Sequence, residues 1–184
     1  MFHWVHRFLA VLGISISSAI AADGDAVRTF HDAVQMGEVE TVRTMLTTEP
    51  GLATSKDEYG FQPIHLLDMY PDEEVLNLLL ANGADINAVN DERVTILHIV
   101  ADPDAVPLLV GRGANIEARD ERGWTPLIMQ ANNQQNGPDV VTALLAHGAD
   151  PNAKKHNGET ALSLARETGD ATLIEVLIAN GGAK

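Results

Sequence analysis

The sequence predicts an all-α solenoid in which short antiparallel helix pairs stack on one another. Three observations predict it. The chain of 184 residues repeats itself at intervals of 30 to 35 residues. Each interval holds two apolar patterns with helical spacing. Neither pattern is long enough to form a stable helix alone, so each pair must bury its apolar face against its neighbours.

Two motifs carry the repetition, and they stay in phase along the chain. The first motif opens each helix pair and recurs at intervals of 33, 30 and 35 residues as Gln62-Pro63-Ile64-His65, Thr95-Ile96-Leu97-His98, Thr125-Pro126-Leu127-Ile128 and Thr160-Ala161-Leu162-Ser163. The second motif closes each pair in Asn82–Ala88, Arg112–Ala118, His147–Ala153 and Asn180–Ala183. A fainter first copy surrounds His31, which lies 34 residues before His65.

The N-terminal segment has a different character and predicts an export signal. Arg7 precedes an apolar run of 13 residues, Phe8–Ile20, and small residues stand at Ala19 and Ala21. About 20 apolar residues are needed to cross a bilayer, and this run is shorter. We therefore expect residues 1–22 to be cleaved as a signal peptide. The alternative is an uncleaved membrane anchor. Removal of Arg7, the one charged residue in this segment, would change the net charge from -14 to -15. An exported chain with no cysteine and no Asn-x-Ser/Thr acceptor site favours a periplasmic location in a bacterium over secretion from a eukaryote.

The second repeat shows the expected element order. Helical patterns cover Pro63–Tyr70 and Asp72–Ala81. Pro63 suits the first turn of a helix, where its missing N–H has no partner to lose, and Thr95, Thr125 and Thr160 can cap the same turn in other repeats. Glycines that follow the second helix are expected to end it in the left-handed conformation.

Repeats three and four depart from this period in opposite directions. Repeat three is three residues short around Ala101–Pro103, which predicts short helices and a second helix limited to Asp104–Val110. Repeat four has two extra residues within the polar stretch Asn132–Pro138, which predicts a protruding loop between its helices. Such irregularities can shape a binding surface or reflect neutral drift.

These motifs resemble the ankyrin repeat, whose Thr-Pro-Leu-His pattern and 33-residue unit they match. The resemblance implies a single domain at 23–184 with about five stacked helix-turn-helix repeats near 25–56, 57–89, 90–119, 120–154 and 155–184, the outer two acting as caps. It also implies that His65 and His98 hydrogen-bond the backbone between adjacent turns. Turn tips and the exposed face of each first helix are then expected to line a concave groove.

Composition and motifs argue against several classes of function. Twelve basic against 26 acidic residues disfavour binding to nucleic acid or to anionic membranes. The absence of cysteine excludes thiol chemistry and Cys-based metal sites. No metalloprotease, nucleophile-elbow or phosphate-loop motif occurs. The histidines follow the structural repeat, and no carboxylate is expected to be buried with a shifted pKa. We therefore predict no catalytic residues, metal or cofactor.

The repeat phase predicts a partner-binding surface in columns of equivalent residues. An apolar column holds Phe61, Val94 and Trp124 and ends at Glu159, with Trp124 as an anchor for a partner or, alternatively, as a shield for the turn backbone. A largely acidic column contains Glu58, Asp91, Glu121 and His156, and the mixed row beside it contains Tyr59, Glu92, Arg122 and Asn157. First-helix candidates that would flank the groove are Asp68, Met69, Tyr70, Asn132 and Asn133.

The preferred hypothesis is a noncatalytic, monomeric protein that binds one other exported protein, with a basic surface, through this groove. By resemblance, its role is that of an immunity or inhibitor protein for a secreted toxin, or of an accessory protein in envelope defence against peroxide. An enzyme, disfavoured for want of a convergent site, and a structural spacer remain as alternatives.

Overall fold

The computed structural model describes residues 16–69, 71–133 and 137–183, which form two parallel rows of helices. The inner row contains α1 (Ile16–Gln35), a 3-10 turn (Pro63–Leu67), α4 (Ile96–Ile99), α6 (Pro126–Asn132) and α8 (Ala161–Thr168). The outer row contains α2 (Val39–Thr48), α3 (Glu73–Ala81), α5 (Ala105–Gly111), α7 (Gly137–Ala146) and α9 (Ala171–Ala179). A further 3-10 turn at Pro50–Thr54 follows α2. The all-α stack of helix pairs is as the sequence predicts.

Each repeat buries the same positions of its two helices. In the outer row, one leucine from each repeat is at most 2% exposed, namely Leu46, Leu79, Leu109, Leu144 and Leu177. In the inner row, Ile64, Leu97, Leu127 and Leu162 are equally buried. The core is therefore a continuous strip that runs between the rows, and no repeat completes it alone.

Repeat three is short, as its sequence predicts, and a side chain from repeat four compensates for the loss. Helix α4 has only four residues, and α5 is Ala105–Gly111 instead of the predicted Asp104–Val110. Pro107 lies in the first turn of α5, where its missing N–H costs no helical hydrogen bond. The buried Gln130 donates from Nε2 to the carbonyl oxygens of His98 and Val100, at 3.0 and 2.8 Å. This amide replaces the partners that a further helical turn would have supplied.

Two other predicted boundaries were wrong. The helical pattern over Pro63–Tyr70 forms a 3-10 turn that ends at Leu67. The loop expected over Asn132–Pro138 is shorter, because Asn132 is the last residue of α6 and α7 already begins at Gly137. Pro138 is tolerated there because the first turn of a helix needs no N–H from it.

The predicted cleavage point near Ala21 falls within α1, and most of the predicted signal, residues 1–15, lies outside the described residues. Cleavage therefore stays a prediction. Among the helices that the structure describes, none has the length and apolar character needed to cross a membrane.

Candidate functional site

Four loops of the same construction connect successive repeats, and we call them fingers 1 to 4. They are residues 57–61, 90–94, 120–124 and 155–159. In each finger the N–H of the first residue donates to the carbonyl of the fifth, at 3.0 to 3.1 Å. In fingers 1 to 3 the first residue is Asp57, Asn90 or Asp120, whose side-chain oxygen accepts from the third and fifth N–H groups. The Asx side chain thus fixes the shape of the loop.

Finger 4 departs from this construction. Lys155 stands where the other fingers have Asp or Asn, and Asn157 instead accepts the N–H of Glu159. The Lys155 ammonium pairs with the Glu159 carboxylate within the same finger. Hydrogen bonding to this ammonium lowers the pKa of the exposed Glu159 carboxyl group. Finger 4 is therefore held by an ion pair in place of an Asx turn.

Adjacent fingers are also bonded to one another. The N–H groups of Asp91, Glu121 and His156 donate to the carbonyls of Tyr59, Glu92 and Arg122 in the preceding finger, at 3.3, 3.0 and 3.3 Å. This continuous row explains how exposed loops hold a fixed surface.

The repeated histidines hold the fingers from below, as the resemblance implies. Nδ1 of His65 accepts the N–H of Gln62 at 3.1 Å, so its Nε2 donates to the carbonyl of Val94 at 3.2 Å. His98 repeats the arrangement one repeat later, with Nε2 3.1 Å from the carbonyl of Trp124. Burial lowers the pKa of both imidazoles, which keeps them neutral near pH 7. They are structural groups, and each spans two repeats.

Trp124 is half-buried and packs on the core, so it is less available than the sequence suggests. The Arg122 guanidinium carbon and the Lys155 Nζ each lie 4.8 Å from the centre of its indole ring. Arg122 is held in addition by the buried Asp120, at 3.2 Å between Nε and Oδ2. The indole therefore stabilises the two cations at fingers 3 and 4.

A depression of about 400 Å³ lies between fingers 1 to 3 and the inner helices. The apolar side chains that line it are Phe61, Val94, Ile99 and Met129, and its rim carries the exposed Glu58, Tyr59, Asp91, Glu92 and Arg122; the buried Asn90 also lines it. Tyr59 is 63% exposed. An apolar floor with a polar rim is the composition of a protein-binding surface.

The structure brings most of the predicted columns together but not all of their members. Glu58, Tyr59, Asp91, Glu92, Glu121, Arg122 and His156 are exposed along the fingers, and Phe61 is half-buried edge-to-face with His65 at 5.4 Å. Val94 is only 5% exposed although it lines the depression, so little of its side chain is available for contact, and its role as a partner-binding residue stays a prediction.

The first-helix candidates lie elsewhere. Three of them lie at the end of the inner row that is remote from the fingers: Met69 follows the 3-10 turn, Asn132 ends α6 and Asn133 comes next. None of the three lines the depression. Tyr70 lies outside the described residues. Burial raises the pKa of Asp68, which corrects the expectation that no carboxyl group would be shifted. Met69 is 52% exposed at that remote end.

Sequence reasoning missed the floor of the depression. Ile99 and Met129 lie 30 residues apart, the same interval that separates Thr95 from Thr125, so the repeat phase contained the signal. The described residues include no cluster of three or more His, Asp or Glu side chains placed to hold a metal ion.

Comparisons with known proteins agree with this architecture. The profile of a family described as ankyrin repeats (3 copies) matches residues 64–155, half of the chain. The chain is 33% identical to the mouse B-cell lymphoma 3 protein homolog over 96% of its own length. It is 28% identical to the putative ankyrin repeat protein YahD of Escherichia coli K12 over 81% of its length, and 30% identical to an intracellular phospholipase A2 of Caenorhabditis elegans over 88%.

The extent of these relatives differs. The chain spans 94% of YahD but only 41% of the mouse protein and 16% of the nematode phospholipase. The similarity therefore covers less than half of the mouse protein and a small part of the nematode phospholipase. Stacked helix pairs, bonded fingers and histidine bridges make this chain a protein-interaction module, and it belongs to the ankyrin-repeat family.

Proposed function

We propose that the protein binds one other exported protein through the fingers and the depression beneath them, without catalysing a reaction on it. The single observation that supports this most is the bonded row of four fingers, of which the first three surround an apolar depression. Such a surface is already ordered before binding, so association costs little loop entropy.

The charge of the chain favours a basic partner. With a formal charge of -14 and exposed acids on fingers 1 to 3, the protein should attract a basic protein and repel acidic ones, mainly through the association rate. Fingers 3 and 4 also carry Arg122, Lys155 and His156, so the partner surface is expected to change sign along the row.

The test is capture of partners by the tagged protein from its own envelope extract. We expect Tyr59→Ala to lose a captured partner, because Tyr59 is exposed on the rim and its removal leaves the fold intact. Met36→Ala is the matched control, since Met36 is 76% exposed and lies outside the finger surface. Equal capture by both variants, or equal loss, would contradict the proposal.

For its role, we propose inhibition of a secreted toxin as an immunity protein, with an accessory role in peroxide defence as the alternative. An inhibitor should bind one enzyme tightly in a fixed ratio and suppress its activity. An accessory protein should bind several clients weakly and leave their activities unchanged. Titration calorimetry with the captured protein, followed by its activity assay, separates the two.

We also propose export to the periplasm with cleavage after Ala21 or Ala22. The basic, apolar and small-residue order of residues 1–22 supports it. N-terminal sequencing of the protein from a periplasmic fraction should give Ala22 or Asp23 as the first residue. An intact Met1 in a cytoplasmic fraction would contradict it.

A further inference from the structure

We propose that the depression beneath fingers 1 and 2 is a subsite for a single arginine or lysine side chain of the partner. This inference rests on the proposed function and names the group that the partner inserts. The depression has an apolar floor and an acidic rim, and a side chain that binds there must match both.

The floor requires an apolar occupant. Phe61, Ile99 and Met129 are its half-buried apolar lining, and Val94, only 5% exposed, lines it as well. A volume of about 400 Å³ accepts one large side chain and the backbone that carries it, but not a folded element. A carboxylate, or a short polar side chain, would leave this floor in contact with water or lose its own hydration without compensation.

The rim requires a positive charge. Glu58, Asp91 and Glu92 surround the depression, and within the described part of the chain none of the three forms a salt bridge. A purely apolar side chain would remove water from these carboxylates without supplying a hydrogen bond or a positive charge in its place. Two cations of the finger row are already paired, Arg122 with Asp120 and Lys155 with Glu159.

Only an amphipathic cation fits both features. The methylene stem of arginine or lysine packs on an apolar floor while its charged head stays at the rim. A guanidinium offers several N–H donors to neighbouring carboxylates, so arginine should bind more tightly than lysine. Tyr59 adds an exposed aromatic ring beside the rim, on which a guanidinium can also stack.

Two flanking groups set the direction from which the side chain enters. Arg122 lines the depression at the side of finger 3, where its guanidinium lies against Trp124 and repels a second cation. The exposed Arg93 follows Glu92 in finger 2. The open approach is therefore across Glu58 and Tyr59 in finger 1.

The probe is the peptide acetyl-Ala-Leu-Arg-Leu-Ala-amide, titrated into the purified protein with labelled Ile and Met methyl groups at low salt. We expect the methyl signals of Ile99 and Met129 to shift while those of Met36 and Ile178, exposed elsewhere, stay in place. The same peptide with citrulline, a neutral group of the same shape, should bind at least about fivefold more weakly, which is the size of one or two exposed ion pairs.

Matched variants separate this subsite from the general charge of the protein. Glu58→Gln with Glu92→Gln should weaken the arginine peptide about fivefold or more. Glu167→Gln with Glu175→Gln changes the net charge equally at exposed positions in the last repeat and should weaken it less than about twofold. Circular dichroism and thermal melting check that both variants stay folded.

Several results would overturn the subsite: equal binding of the citrulline peptide, equal effects of the two double variants, shifts confined to Met36 or Ile178, or no binding at millimolar peptide. If partner capture still depends on Tyr59 in that case, only the subsite is rejected and the proposed function stands. Arginine-specific binding together with no Tyr59-dependent partner would instead reject the proposed function.

Discussion

Two glycines in the fingers lie directly beneath a side chain of the next finger. A Cβ built on Gly123 would stand 2.5 Å from Cδ2 of His156, and one built on Gly60 would stand 2.7 Å from Cγ of Asp91. Both glycines also have positive φ, at 77°. The equivalent residue of finger 2 is Arg93, which adopts φ 63° despite its side chain. The fourth residue of every finger therefore has a positive φ, and in fingers 1 and 3 this residue must also lack a Cβ atom, because the next finger leaves no room for one.

Gly123→Ala should destabilise the protein by about 2 to 4 kcal/mol, because it adds the contact with His156 to the cost of about 1 to 2 kcal/mol for a left-handed alanine. Gly158→Ala is the matched control in finger 4, since it has φ 89° and open space around its Cβ. Urea unfolding of both variants measures the difference. An equal loss in the two variants would show that the His156 contact costs nothing.

The buried histidines make stability depend on pH. Burial lowers the pKa of His65 and His98 below the ordinary value of 6.5. The unfolded chain therefore binds more protons than the folded one below about pH 6.5, so stability is full above that pH and falls as the pH decreases. His31 contributes with the same sign, since burial also lowers its pKa.

His98→Gln should reduce the fall in unfolding free energy between pH 7.5 and 5.5, although it lowers stability at pH 7.5 as well. Urea midpoints at several pH values measure the slope. The pKa of Asp68 is raised from its ordinary value of 3.8, so protonation of this carboxyl group increases stability as the pH falls toward that value. This effect opposes that of the histidines, and the measurements therefore stop at pH 5.5. An unchanged slope in the variant would remove His98 as a source of the pH dependence.

At the scale of the element, the shortened α4 depends on a neighbour for its C-terminal hydrogen bonds. Four residues complete barely one turn, and the carbonyls of His98 and Val100 accept from Gln130, which is 1% exposed. Repeat three is therefore ordered through repeat four, in spite of its missing residues.

Gln130→Leu should destabilise the protein by about 1 to 3 kcal/mol, because it keeps the volume but removes the hydrogen bonds that the Gln130 amide donates to the buried carbonyl oxygens of His98 and Val100. Gln35→Leu is the control at the exposed end of α1 and should change stability by less than about 0.5 kcal/mol. Calorimetric melting of both proteins provides the comparison. If Gln130→Leu melted at the same temperature as Gln35→Leu, other groups would have to satisfy these carbonyls.

At the scale of the whole molecule, each repeat is supported by the repeats that it packs against. Leu109 lies in the third repeat and Leu177 in the last, and both are fully buried. Helix α9 packs on α7 and α8, with no repeat beyond it in the described chain. Opening the last repeat therefore disturbs one neighbouring repeat, whereas opening repeat three disturbs two.

Leu177→Ala should accelerate hydrogen exchange in α8 and α9 only, whereas Leu109→Ala should accelerate it on both sides of repeat three, each for a cavity cost of about 2 to 5 kcal/mol. Mass-spectrometric exchange of the two variants under native conditions resolves the helices. Uniform acceleration in both would indicate a single cooperative unit in place of a stack.

The sequence by itself determined the period, the helix pairs and the position of the fingers, because an apolar stripe at helical spacing and a turn motif in fixed phase are local properties of the chain. In this way the sequence predicted the exposed positions of four finger residues, Glu58, Tyr59, Asp91 and Arg122. They lie in turns between repeats, and this position does not depend on how the repeats pack.

Tertiary structure alone decided how much of each side chain remains accessible and what lies beneath the fingers. Val94 is buried, Trp124 is covered by Arg122 and Lys155, and Ile99 and Met129 become a floor, because the adjacent repeat determines these contacts. The use of Gln130 as a cap belongs to the same class. Burial depends on how two repeats pack, and the spacing of residues within one repeat does not contain that information.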